Sequence, residues 1–125
     1  MDNDLSIEES TVALARKLIQ RESVTPNDQG CQNIIRYELE KVGFLCEAFD
    51  CGDVKNLWAR YGEHEPLFVF SGHTDVVPPG PLDQWVYPPF TATIHDGVLH
   101  GRGASDMKGS LAAMITASQR FVSNG

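Results

Sequence analysis

Leu67-Phe68-Val69-Phe70 is the stretch that most restricts the fold, because every side chain in it is apolar and a strand made from it needs cover on both faces. Strands of that kind sit inside sheets flanked by helices on each side. The run leads into Ser71-Gly72-His73-Thr74-Asp75, which places polar residues at the carboxyl end of the strand, where open α/β sheets hold their sites.

The neighbouring segments supply the helices such a sheet requires. Ser6 and Glu9 form an S-x-x-E capping box, followed by Thr11, Leu14, Ala15, Leu18 and Ile19 at three-and-four spacing, which predicts a helix over 5–20. Pro26, Asn27, Asp28 and Gly30 predict a reversal, and Cys31, Ile35, Leu39 and Val42 share one face of a second helix over 29–42, closed by Gly43. Beyond it, 44–49, 56–61 and 67–71 read as short strands. Six prolines and glycines between 78 and 89 predict a loop without regular structure. Asp96-Gly97 between two β-type runs predicts a hairpin, and small and apolar residues predict a third helix over 107–122. The order helix, helix, strands, helix gives an α/β class: a mixed sheet flanked by helices, in one domain or part of one.

Charge and cysteine usage narrow the partners. With 10 basic and 17 acidic residues among 125, the net charge of −7 repels phosphate backbones and anionic lipid, which argues against nucleic acid and membrane partners. No apolar stretch approaches the roughly 20 residues of a membrane span, and the start Met1-Asp2-Asn3-Asp4 lacks the basic region of a secretory signal, so a cytoplasmic protein is expected. Cys31, Cys46 and Cys51 are expected as reduced thiols, and no second pair completes a structural zinc site with Cys46 and Cys51.

The chemistry-bearing residues fall in two clusters. His73 and Asp75 lie two apart, on one side of an extended chain, and a metal-ligating imidazole commonly gives its other ring proton to a carboxylate. Alone, the pair reads equally as a satisfied surface contact. The second cluster, Gly101-Arg102-Gly103-Ala104-Ser105-Asp106-Met107-Lys108-Gly109, sets Asp106 after a glycine-rich turn at the start of a helix. Its G-x-G-x-x-D pattern puts an acid where a dinucleotide site needs glycine, and that acid would repel pyrophosphate, which argues against a phosphate cradle. No G-x-S-x-G elbow marks a serine nucleophile. His64 and His95 read as solvated; His100 lies nearer the site. Arg102 and Lys108 read as solvated or structural, and Trp85 and Tyr87 as loop anchors.

SGHTDVVPPG at 71–80, Trp85 with Pro88-Pro89-Phe90, and HGRGASDMKGS at 100–110 together resemble the dizinc aminoacylase and exopeptidase family. The likeness extends to TPNDQGC at 25–31, Gly43-Phe44 and DQWVYPPF at 83–90, nearly the whole chain. It implies the amino-terminal portion of a zinc-exopeptidase-like catalytic domain that hydrolyses an amide bond in a small-molecule substrate. By position it implies His73 as a terminal ligand, Asp75 as the carboxylate orienting that imidazole, and Asp106 as a ligand bridging two Zn2+ ions, with Co2+ able to substitute. A cis bond between Asp106 and Met107 is implied too.

The family's remaining ligands, its glutamate base and its lid and dimerisation domain lie past residue 125. The resemblance therefore implies a longer homodimeric enzyme, and the 125 residues alone are expected to be inactive, to bind zinc weakly at best and to expose apolar surface. A sibling amidohydrolase with another acyl specificity and a metal-free fragment are the competing readings.

Overall fold

A computed structural model describes residues 5–124; the acidic start, residues 1–4, and residue 125 lie outside that description. Three helices form the core, α1 (Ile7–Ile19), α2 (Cys31–Glu40) and α3 (Gly109–Asn124). At the start of α1 the expected capping box is complete: Glu9 N–H donates to Ser6 Oγ at 3.1 Å, and Ser6 N–H donates to Glu9 Oε2 at 2.9 Å. The apolar stripe of α1 then buries Leu14, Ala15, Leu18 and Ile19. Leu14, Ala15 and Leu18 pack with Cys31, Ile35 and Leu39 of α2 and with Leu111, Ala112 and Ile115 of α3. Burying such side chains contributes about 1.5–3 kcal/mol each before entropy is counted.

Two antiparallel hairpins complete the described elements. β1 (Leu45–Ala48) pairs with β2 (Leu57–Arg60), with Cys46 opposite Ala59 and Ala48 opposite Leu57. Cys46, Leu57 and Ala59 lie partly buried against the helical core. β3 (Thr93–His95) pairs with β4 (Val98–His100). The turn between them holds Asp96 at φ 50° and Gly97 at φ 75°, the positive angles an Asp-Gly hairpin turn requires. Arg16 Nε donates to Ala92 O at 3.0 Å and ties this hairpin to α1.

The class is thus a mixture of helices and small strands, but the mixed sheet is not formed among the described residues: the strands make two separate two-stranded sheets, and the parallel contact is an isolated bridge between Val24 and Val76. The run at 67–70 departs furthest from expectation. It makes no ladder, and Leu67, Phe68, Val69 and Phe70 are 51%, 80%, 52% and 49% exposed. A strand exists through its neighbours' N–H and C=O groups, and no described segment pairs with this one. Phe68 and Phe70 instead meet edge to face, with ring centroids 5.1 Å apart. Such a contiguous apolar strip favours association. We expect sedimentation velocity to show concentration-dependent self-association of the 125-residue chain, reduced by Phe68→Lys; a monomer at every concentration would contradict this.

Smaller departures have local causes. The proline-rich loop contains a short 3-10 turn, Leu82–Gln84, entered from Pro81 at φ −61°, an angle proline already prefers. Trp85 Nε1 donates to Pro79 O at 2.9 Å, so this side chain anchors the loop as expected. The third helix begins at Gly109, after an irregular coil over Ala104–Lys108 in which Asp106 and Met107 leave helical angles. The Asp106–Met107 peptide is cis, in agreement with the resemblance. No helix among the described residues is long and apolar enough to cross a membrane.

Candidate functional site

The segment 73–76 is held by the chain that reverses between α1 and α2. Val76 N–H donates to Ser23 O at 2.9 Å and Thr25 N–H donates to Val76 O at 3.0 Å, which makes the isolated parallel bridge. Side chains extend the grip: Ser23 Oγ donates to Thr74 O at 2.8 Å, Thr74 Oγ1 donates to Asp28 Oδ1 at 2.7 Å, and Thr25 Oγ1 donates to Asp75 Oδ2. Asp28 also accepts from Gln32 N at 3.0 Å, so one nearly buried carboxylate takes an N–H of the first turn of α2 and holds Thr74.

The second cluster is brought alongside by Gly103 and Lys108. Gly103 has φ 82°, and a Cβ there would run into Val76 Cγ1, so both its conformation and its contact with 73–76 require glycine. Lys108 is fully buried. Its Nζ donates to Leu18 O at 2.7 Å and Arg21 O at 2.9 Å, satisfying carbonyls at the end of α1, where an ammonium also complements the helix dipole. Burial pushes the Lys108 pKa below the usual lysine value, with Cys31 and Asp28 opposing that shift. Burial raises the Cys31 thiol pKa for the same reason, the charged form being the one disfavoured. Cys31, Cys46 and Cys51 are all free thiols.

These supports bring the expected residues together. His73 Nε2 lies 3.2 Å from Asp106 Oδ1. On its other side, His73 Nδ1 lies 2.9 Å from Asp75 O and 3.3 Å from Asp75 Oδ1, so the backbone carbonyl is the nearer acceptor and the carboxylate the second. Met107 bridges the two clusters, its Sδ 3.4 Å from the backbone nitrogen of His73. The His73, Asp75 and Asp106 side chains are 48%, 39% and 89% exposed, so their open faces meet solvent.

An imidazole nitrogen and a carboxylate oxygen turned to one point form a donor set that suits zinc. It is a partial set: among the described residues no group of three His, Cys, Asp or Glu side chains converges. The residues present fit a metal as two of its donors.

The other candidates stand apart. His100 stacks on Tyr87 with centroids 4.5 Å apart, and His95 lies 5.4 Å from the same ring. Trp85, Tyr87, His100 and Ser105 line an open depression of about 480 Å3. Arg102 lies over Trp85 at 5.1 Å, with its Nε buried and unpartnered among the described residues. Sequence reasoning missed Ser23, Thr25 and Asp28: Asp28 read as a turn-former, and Ser23 and Thr25 received no reading of their own. The available signal was three hydrogen-bonding side chains within six residues, more than the reversal alone needs.

Comparison with known proteins shows what this sequence is similar to. Residues 69–125 match the model for peptidase family M20/M25/M40. The chain is 61% identical over 112 residues to the succinyl-diaminopimelate desuccinylase of Methylococcus capsulatus, covering 90% of this chain and 30% of that protein. It is 60% identical over 112 residues to that of Azoarcus sp., with the same shares, and 55% identical over 115 residues to that of Alkalilimnicola ehrlichii, covering 92% of this chain and 31% of that protein. The chain therefore spans about 30% of the length of the curated relatives it matches.

Proposed function

We propose that this chain, whose residues 69–125 match the model for peptidase family M20/M25/M40, supplies part of the catalytic domain of a dizinc amide hydrolase. The reaction is cleavage of N-succinyl-LL-2,6-diaminopimelate to succinate and LL-2,6-diaminopimelate, a step toward lysine. Names borne by relatives 55–61% identical over about nine-tenths of the chain support this substrate. The observation that carries the metal reading is the approach of His73 Nε2 to Asp106 Oδ1 at 3.2 Å, with Asp75 against the opposite ring nitrogen.

In this reading His73 is a terminal donor and Asp106 bridges. Asp75 keeps the His73 proton on Nδ1, leaving the Nε2 lone pair turned toward Asp106. Zinc ions bound there would polarise the scissile carbonyl and lower the pKa of a water. The remaining ligands, the glutamate base and a lid and dimerisation domain come from residues outside these 125, within a zinc-exopeptidase-like fold and a homodimer.

The test is a succinate-release assay on a protein of the relatives' length containing these residues, with N-acetylornithine as the competing substrate. We expect zinc-dependent turnover of the succinyl substrate, abolished by a chelator and restored by Zn2+ or Co2+, and none from the 125 residues alone. Turnover surviving metal removal, or a preference for the acetyl substrate, would contradict the reading.

A further inference from the structure

Asp75 can orient His73 only if Asp75 is itself fixed, and nothing in its own torsions fixes it. The terminal torsion of an aspartate is broad, so a carboxylate left to itself samples many orientations about its axis. Asp75 is 39% exposed, so packing does not lock it either. Its two oxygens nevertheless have separate partners: Oδ1 lies 3.3 Å from His73 Nδ1, and Oδ2 accepts from Thr25 Oγ1.

Thr25 has one hydroxyl proton and two acceptors within reach, Asp75 Oδ2 and Val76 O, the latter at 3.2 Å. Val76 O already accepts the Thr25 N–H at 3.0 Å. A charged acceptor makes the shorter and stronger bond, so the proton goes to the carboxylate. The same short segment also governs the second acceptor that His73 uses. The peptide linking Asp75 to Val76 carries Asp75 O on one side and donates its N–H to Ser23 O at 2.9 Å on the other. The carbonyl that accepts from His73 Nδ1 at 2.9 Å is thereby aimed by backbone pairing, and the carboxylate by the Thr25 side chain alone.

We propose that Thr25 is a positioning residue for His73, acting through the Asp75 carboxylate in a chain that runs Thr25, Asp75, His73, Asp106. The inference rests on the metal-site reading for its consequence, but its geometry lies wholly within this chain. Because the Thr25 residue is exposed and its backbone pairing survives substitution, removing the hydroxyl leaves the fold intact.

The experiment compares the 125-residue protein with Thr25→Val, Thr25→Ala and Thr25→Ser by two readouts. One is the pair of His73 ring nitrogen shifts, recorded by long-range proton–nitrogen correlation at one alkaline pH without metal. The other is Zn2+ affinity from chelator competition. Thr25→Val and Thr25→Ala should move the Nδ1 shift toward its unprotonated value and weaken zinc binding roughly 10-fold, with Thr25→Ser restoring both and all melting temperatures alike. Displaced ring shifts with zinc affinity unchanged in both Thr25→Val and Thr25→Ala would keep the positioning role and remove its consequence for the metal. Ring shifts unchanged in both Thr25→Val and Thr25→Ala, whatever the zinc affinity, would overturn the proposal.

Discussion

Lys108→Met lowers the stability of the chain by about 1.5–3 kcal/mol, the net worth of hydrogen bonds from a charged donor to Leu18 O and Arg21 O, carbonyls that each keep a backbone donor, Arg21 N–H and Ser23 N–H. Leu18 O and Arg21 O accept from Nζ at 2.7 and 2.9 Å, and the bond to Leu18 O is buried, so water does not readily replace that one. Methionine fills much of the volume of the lysine stem, which keeps the change from being mainly a cavity. In a domain of this size the loss corresponds to a fall in Tm of roughly 10 °C. Lys17→Met, at an exposed position of α1, is the control and should change stability by less than about 0.5 kcal/mol. Thermal unfolding of the two variants side by side decides the matter. Equal Tm values would mean that the buried ammonium contributes nothing beyond its own desolvation cost.

In a protein of the relatives' length, His73→Ala and Asp106→Ala each lower kcat/KM for the succinyl substrate by about 1000-fold or more, since each withdraws a metal donor from an electrostatic centre worth several kcal/mol to the transition state. Asp106→Ala should be the more severe, because on the proposed reading a bridging carboxylate would serve both metals and a terminal imidazole one. Asp75→Asn keeps the shape of the side chain but offers an uncharged oxygen to the ring, and the carbonyl of Asp75 at 2.9 Å still accepts from Nδ1. Its loss should therefore be smaller, about 10- to 100-fold. The two effects on one centre are not additive, so the double variant His73→Ala/Asp106→Ala should resemble the worse single one. Steady-state rates with metal content measured on the same samples check this order. A fully active Asp106→Ala protein would remove Asp106 from the site.

What the sequence revealed and what it concealed divide along a physical line. Interactions closed within a few residues were legible: the Ser6–Glu9 capping box, the Asp96-Gly97 turn and the apolar stripe of α1 are local, and each formed as expected. The pairing of His73 with Asp75 is local as well, and Asp106 was reached through a nine-residue motif and its resemblance to a family. Long-range partners were not legible. The run at 67–70 has the composition of a buried strand, but composition states only what burial would tolerate, and no described segment supplies its ladder. Lys108 read as solvated or structural and proves structural, but its partners were hidden because nothing near it in sequence shows that the end of α1 lies above its Nζ. Asp28 carried turn chemistry in plain view and Thr25 stood beside it, while their bonds to Thr74 and Asp75 cross about 50 residues of chain.

The central claim, that His73 and Asp106 are two donors to one metal and only part of its ligand set, is tested most directly by calorimetric titration of the 125-residue chain with Zn2+. The account predicts binding weaker than micromolar, lost in His73→Ala and in Asp106→Ala. Stoichiometric submicromolar binding would contradict the partial set, and binding unchanged in both variants would contradict the two donors.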